Sequence, residues 1–148
     1  MYSKDNKDYW NKMNIDYSKV WLAKARAKMS ERELAFIKKA VLQHSPIAVL
    51  DIGIGNGRIL EQLIKYSNKK AQIYGIDISE NMVRICKNKF KNNPKLKELT
   101  VRDVSRDPIG FQKQFDLITM IRVLKYNKNW ETILKKVYSK LNMGGVYI

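Results

Sequence analysis

The segment Val49-Leu50-Asp51-Ile52-Gly53-Ile54-Gly55-Asn56-Gly57-Arg58 constrains this chain more than any other, because an apolar run passes directly into glycines at alternate positions. A short apolar run over 47–52 reads as a strand buried on both faces. Glycine serves where the backbone must turn sharply or approach a ligand. An amphipathic stretch over 57–66 follows, giving strand, tight turn and helix. The alternation continues downstream: strands are predicted over 72–76, 96–102 and, after a short linker, 115–121, with helices over 80–90 and 130–141. Asn142-Met143-Gly144-Gly145 reads as a glycine C-cap and turn, after which Val146-Tyr147-Ile148 begins a fifth strand. Repeated βα units predict an α/β fold, a doubly wound and mostly parallel sheet with helices on both faces.

Ahead of Pro46 the pattern differs. Residues 1–17 are polar, with Tyr9, Trp10 and Tyr17 following no clean period, and read as an irregular arm or one short helix. Residues 18–29 are helix-friendly. Ser30 and Glu33 then form an S-x-x-E capping box for a second helix over 31–43, ended by His44-Ser45-Pro46. The expected organisation is an N-terminal arm and helical cap over 1–45 and a core over 46–148, one structural domain. Because the fifth strand is only beginning at Ile148, the last strands are expected to be truncated from a longer parent, or else the sheet has an exposed edge.

Composition narrows the function classes. With 148 residues the chain suits one domain. Its one cysteine, Cys86, excludes an internal disulfide and a multi-cysteine zinc site, and its one histidine, His44, removes the usual zinc-hydrolase sets, so no metal is expected. No run approaches the ~20 apolar residues of a membrane span, and Met1-Tyr2-Ser3-Lys4-Asp5 has no apolar h-region, so no secretory signal is expected. A cytoplasmic protein is expected. The net charge of +15 comes from 22 lysines and 7 arginines against 14 acids. Phosphate readers lean more on the arginine fork, and these lysines are dispersed, so the charge serves solubility first and substrate steering second. Nucleic acid is the less favoured partner.

The glycine spacing separates cofactors. A dinucleotide fingerprint is G-x-G-x-x-G, whereas here the third glycine comes one residue early and Arg58 takes the fingerprint's glycine position. No lysine follows in P-loop register. D-x-G-x-G-x-G after an apolar strand resembles motif I of the class I S-adenosylmethionine-dependent methyltransferases, a Rossmann-like family. Tyr74-Gly75-Ile76-Asp77-Ile78-Ser79 resembles its second motif, with Asp77 placed 20 residues after Gly57. Leu99-Thr100-Val101-Arg102-Asp103-Val104 resembles the third-strand motif, and the Phe115-Asp116 pair the opening of the fourth strand. Leu141-Asn142-Met143-Gly144-Gly145 is similar to Leu-x-Pro-Gly-Gly, with Met143 replacing proline. The likeness covers residues 47 to 148 in order.

The resemblance implies a methyltransferase with S-adenosylmethionine as cofactor and S-adenosylhomocysteine as product. The backbone around Gly53 and Gly55 would lie against the methionine moiety, and Gly57 belongs to the same cofactor-binding set. Asp77 would accept from the ribose hydroxyls, Ile78 would face adenine, Asp103 would accept from the adenine amino group, and the Val104 amide would donate to a ring nitrogen. Ile121 joins this set. Asp51 either orders the loop or approaches the ligand's ammonium through water.

No universal catalytic residue is expected, because holding nucleophile and methyl in line supplies much of the rate. Arg122 and Tyr126, in the segment after the fourth strand, are the catalytic candidates. Arg122 either orients an anionic acceptor, pairs with Asp116 or faces solvent. Tyr9, Trp10, Tyr17 and Trp21 either form a lid or cover apolar sheet surface, and Arg26 is a candidate for the cofactor carboxylate. Cys86 reads as a buried structural thiol and His44 as a cap or surface residue. The expected partner is a small or medium acceptor. Rival readings are an RNA or protein methyltransferase, a catalytically silent binding module of a larger protein, and a homodimer through the exposed edge.

Overall fold

The computed structural model describes residues 6–12 and 24–148. Among the described residues, α1 (Asn6–Lys12) and α2 (Lys24–His44) precede the sheet. Then come β1 (Ala48–Ile52), α3 (Arg58–Tyr66), β2 (Gln72–Asp77), α4 (Glu80–Lys89), β3 (Leu96–Val101), β4 (Phe115–Thr119), a 3₁₀ turn (Leu124–Tyr126), α5 (Trp130–Tyr138) and β5 (Leu141–Tyr147). The strand order is β3-β2-β1-β4-β5 and every pairing is parallel. The α/β, doubly wound sheet expected from the alternation is the observed fold. Among the described residues no helix is long and apolar enough to cross a membrane.

Period-two alternation sends neighbouring side chains into two cores. Val49, Ile73, Leu99 and Leu117 meet Ile37 and Val41 of α2, Leu60 and Leu63 of α3, and Val83 and Cys86 of α4. Leu50, Ile52, Ile76 and Ile118 meet Ile133 and Val137 of α5 on the other face. No helix joins β3 to β4. The linker there covers its own part of that face with Ile109 and Phe111, and Phe111 packs edge-on to Tyr74 and Phe115 at ring distances of 5.1 and 5.9 Å.

The order places β1 between β2 and β4, so the chain leaves β1 towards one side and returns through β4 on the other. Loops after these strands diverge, and a crevice opens at their C-terminal ends.

Two expectations at the sheet's margins need correction. Ser30 and Glu33 are not a capping box: α2 runs through both without a break, and their side chains reach outward to an arginine. Nor do Gly144 and Gly145 cap a helix. The last helix ends at Tyr138, three residues early, and both glycines lie within β5. Pairing jumps from Phe115↔Leu141 to Leu117↔Val146, a bulge that Gly144 (φ 76°) turns. A Cβ on Gly145 would lie 3.0 Å from the Phe115 carbonyl oxygen, so side-chain exclusion rather than helix termination explains that glycine.

Candidate functional site

A cleft of about 1030 Å³, counting its open mouth, lies at that crevice. Its floor is the loop from Gly53 to Asn56. Gly53, Gly55 and Gly57 all have positive φ (77°, 50° and 83°), a conformation that costs an ordinary side chain roughly 1–2 kcal/mol per residue. The glycines nevertheless do different jobs. Around Gly55 nothing lies within 4 Å of a Cβ position, which leaves room for a ligand. At Gly53 a Cβ would meet Val123 Cγ2 at 2.3 Å, so this glycine lets the segment after β4 close onto the loop. Gly57 does not line the cleft: a Cβ there would strike Phe90 and Cys86 of the α4 region. Gly57 thus packs against the α4 region, outside the residues that line the cleft.

Asp77, at the end of β2, fixes the loop from the other side. Its Oδ2 accepts from Gly55 N (2.8 Å) and its Oδ1 from Ser79 N (2.8 Å), and it lines the cleft together with Ile78. Burial pushes its carboxyl up, against the pull of the backbone donors. Asp51 lies behind the loop rather than in the cleft wall, 1% exposed. Thr119 Oγ1 donates to its Oδ1 (2.7 Å), while Oδ2 is buried with no donor among the described residues. Burial first, and the nearby Asp77 charge, push Asp51 up to about 7 despite Thr119 and Arg58. The Asp51 carboxylate is held by Thr119 behind the loop, and among the described residues no hydrogen bond joins it to the glycines. Cys86 is the buried thiol expected, its Sγ donating to Gly55 O under the loop (3.2 Å).

Asp103 and Val104 follow β3 and line the same cleft. Asp103 Oδ1 accepts from both Ser105 N (2.9 Å) and Ser105 Oγ in a tight turn, and its Oδ2 lies 3.6 Å from Arg106 Nε. Ile121, Arg122, Val123, Tyr126 and Asn127, beyond β4, form the facing wall.

Arg122 does not pair with Asp116. Those residues sit at opposite ends of β4, and Asp116 is occupied at the lower end, accepting from Ile47 N, Ala48 N and Asn142 Nδ2. Arg122 instead joins Glu33 of α2. Its Nε donates to Glu33 Oε1 (2.9 Å), and its Nη2 lies 2.7 Å from the same oxygen. Arg58 Nη2 donates to the other oxygen, Oε2 (2.8 Å), and Nη1 to Ser30 Oγ (2.8 Å).

Trp10 of α1 also lines the cleft, with its ring edge-on to Tyr126 at 5.2 Å. Ser79 Oγ donates to Asn11 Oδ1 (2.9 Å), which ties α1 to the end of β2. Trp10 thus stands where a lid would stand; Tyr9 packs on it at 5.1 Å and is otherwise largely exposed. Tyr17 and Trp21 lie outside the described residues. Arg26 is exposed and not part of the cleft wall. His44 is the exposed last residue of α2.

Sequence reasoning missed Arg58 and Met82 as lining residues and misread Glu33. Arg58 was visible only as a residue foreign to a dinucleotide fingerprint. Glu33 carried a signal, its spacing from Ser30, which a local motif explained equally well.

A family model, the methyltransferase domain, matches residues 50–147. A malonyl-[acyl-carrier protein] O-methyltransferase of Bacillus cereus is 24% identical over 126 residues, covering 85% of this chain and 45% of the relative. A ubiquinone/menaquinone biosynthesis C-methyltransferase of Wigglesworthia glossinidia brevipalpis is 26% identical over 98 residues, 66% of this chain and 39% of the relative. Among solved structures, an S-adenosylmethionine-dependent methyltransferase from Clostridium acetobutylicum superposes with a TM-score of 0.72 at 22% identity, over 89% of this chain and 55% of that one. The chain thus spans about half the length of these proteins or less. The glycine floor, the acids at successive strand ends and the match over 50–147 agree: the chain belongs to the methyltransferase-domain family, the class I S-adenosylmethionine-dependent methyltransferases.

Proposed function

We propose that this domain binds S-adenosylmethionine in the cleft and transfers its methyl group to a small or medium acceptor, leaving S-adenosylhomocysteine. The observation that carries this reading is the Asp77–Gly55 hydrogen bond, which makes one carboxylate both the brace of the glycine loop and a wall of the cleft. When bound, the cofactor supplies a sulfonium methyl open to in-line displacement.

The chain's residues fit that cofactor. Each carboxylate oxygen of Asp77 accepts one backbone N–H and retains a lone pair for a ribose hydroxyl. Asp103 suits an exocyclic amino donor, the Val104 amide a ring nitrogen, and Ile78 an apolar base face. Gly53 and Gly55 admit the amino-acid portion, and Ile121 closes the side beyond β4. Asp51 Oδ2 is buried with no donor among the described residues, and a cationic ligand nearby makes a negative charge there less costly.

Positioning carries the rate in this reading, since oriented reactants reach effective molarities of ~10⁵–10⁸ M. Arg122 is engaged by Glu33, so its part is holding the wall, and Tyr126 is the candidate that faces an acceptor. The names of the relatives, which concern malonyl-[acyl-carrier protein] and ubiquinone/menaquinone biosynthesis, support a small-molecule acceptor class. The described residues ahead of the 46–148 core, 6–12 and 24–44, act as its cap, and the single buried thiol suits a reducing, cytoplasmic setting.

Isothermal titration with S-adenosylmethionine, S-adenosylhomocysteine and NAD tests the binding step. Saturable binding of the first two without the third is expected; NAD binding in their place would overturn the cofactor reading. Methyl release into pools of small carboxylic acids and phenols then separates transfer from binding alone.

A further inference from the structure

Glu33 is used by neither the glycine loop nor the strand-end acids, and it does not line the cleft. It nonetheless holds two of the three arginines that line the cleft, Arg58 and Arg122, one on each carboxylate oxygen. Arg58 is the first residue of α3, directly after the glycine loop. Arg122 begins the segment after β4 with φ 66°, a left-handed conformation that an arginine keeps only where its surroundings impose it. The next residue, Val123, is the one pressed against Gly53. A single carboxylate from a helix outside the sheet therefore joins the two loops that diverge at the switch in strand order.

We propose that Glu33, with Ser30, is a positioning residue that fixes Arg58 and Arg122 as one wall for the amino-acid end of the cofactor. The inference rests on the methyltransferase reading of the cleft. The wall that Glu33 fixes carries two guanidiniums, whereas on the other part of the cleft Arg102 stands beside two acids, Asp77 and Asp103. A ligand with a hydroxylated nucleoside at one end and a carboxylate at the other matches that polarity. Glu33 side-chain exposure is only 20%, and that of Arg122 is 12%, so the ion pairs are shielded from water and hold their geometry better than surface pairs. The S-x-x-E spacing is what one exposed turn of α2 needs to present a hydroxyl and a carboxylate to the same guanidinium.

Comparing two probes, adenosine and S-adenosylhomocysteine, isolates the effect, since only the second carries the amino-acid end. By calorimetry the wild type should bind S-adenosylhomocysteine at least tenfold more tightly than adenosine. Glu33→Gln should weaken S-adenosylhomocysteine at least fivefold and change adenosine less than twofold; Glu33→Asp, which keeps the charge, should recover part of the loss. A purely structural contact would lower the melting temperature and leave the ratio of the two affinities unchanged, and that result overturns the proposal. An equal loss of both affinities also overturns it. Should Glu33→Gln fail to fold, Ser30→Ala loosens Arg58 alone, and the same ratio must fall at least twofold. Wild-type protein that binds neither probe overturns the cofactor reading and this role with it, whereas a wild type that binds both with variants of unchanged ratio overturns the Glu33 role alone.

Discussion

On the β2 side of the cleft, Asp77 holds Gly55, 22 residues away, and Ser79, two residues away, through backbone N–H groups. On the β4 side, Arg122 is held by Glu33, a side chain 89 residues earlier in the chain. The first arrangement is set by where two adjacent parallel strands end, so it follows once β1 and β2 pair in register. The second depends on α2 docking against α3 and on an arginine kept at positive φ. One wall is thus built from main-chain geometry, and the other from side chains brought together by the whole fold.

The sharpest way to break this comparison lies where the two walls touch. Gly53→Ala places a Cβ against Val123 at a φ that disfavours it, and a loss of about 3 kcal/mol in urea unfolding is expected. Gly55→Ala, with open space around it, should lose only about 1 kcal/mol from its φ. Equal losses would mean that the β4 wall does not press on the loop. Val123→Ala should recover part of the Gly53→Ala loss in a double-mutant cycle.

Beneath the loop, Asp51 offers a test by pH. An acid raised in the folded state makes the native protein bind more protons than the unfolded chain, so stability falls as pH rises from about 4 to about 7 and then levels. Asp51→Asn keeps an oxygen for the Thr119 hydroxyl and should flatten that decline, ending about 2 kcal/mol more stable than the wild type at pH 8 without ligand. Unfolding curves at pH 5 and pH 8 check it; parallel behaviour of the two proteins would show that the buried charge is compensated.

Asp77→Ala probes the main-chain wall directly. It should weaken S-adenosylhomocysteine and adenosine together by at least tenfold, about 1.4 kcal/mol, in contrast with the selective effect expected at Glu33. Titration calorimetry reads both, and unchanged affinity removes Asp77 from the site. Trp10→Ala is the mildest. Losing its edge-on pairs with Tyr126 and the largely exposed Tyr9 should cost about 1 kcal/mol, and it should speed ligand dissociation in stopped-flow fluorescence more than it alters the fold.

Most strands and the core helices were legible from the sequence because buried parallel strands and amphipathic helices carry strong periodicity. The strand ends that carry Asp77, Ile78, Asp103 and Val104 were legible for the same reason. Gly57 shows the limit. Its residue type announces a special φ, but whether the space beside it belongs to a ligand or to Phe90 depends on how α4 packs. Gly144 and Gly145 were misassigned for a related cause: a helix cap and a strand bulge both demand glycine, and only the pairing with β4 distinguishes them.

By itself the sequence determined the alternating units, the loop that must bend and the acids at the strand ends. These follow from local properties: side-chain period, backbone freedom and charge at fixed offsets. Only the tertiary structure decided that Ser30 and Glu33 grip an arginine rather than cap a helix, that Arg122 turns to Glu33 rather than Asp116, and that Asp51 is sealed behind the loop. Hydrogen bonds and ion pairs between distant residues depend on the final distance between them, and a linear pattern does not encode that distance.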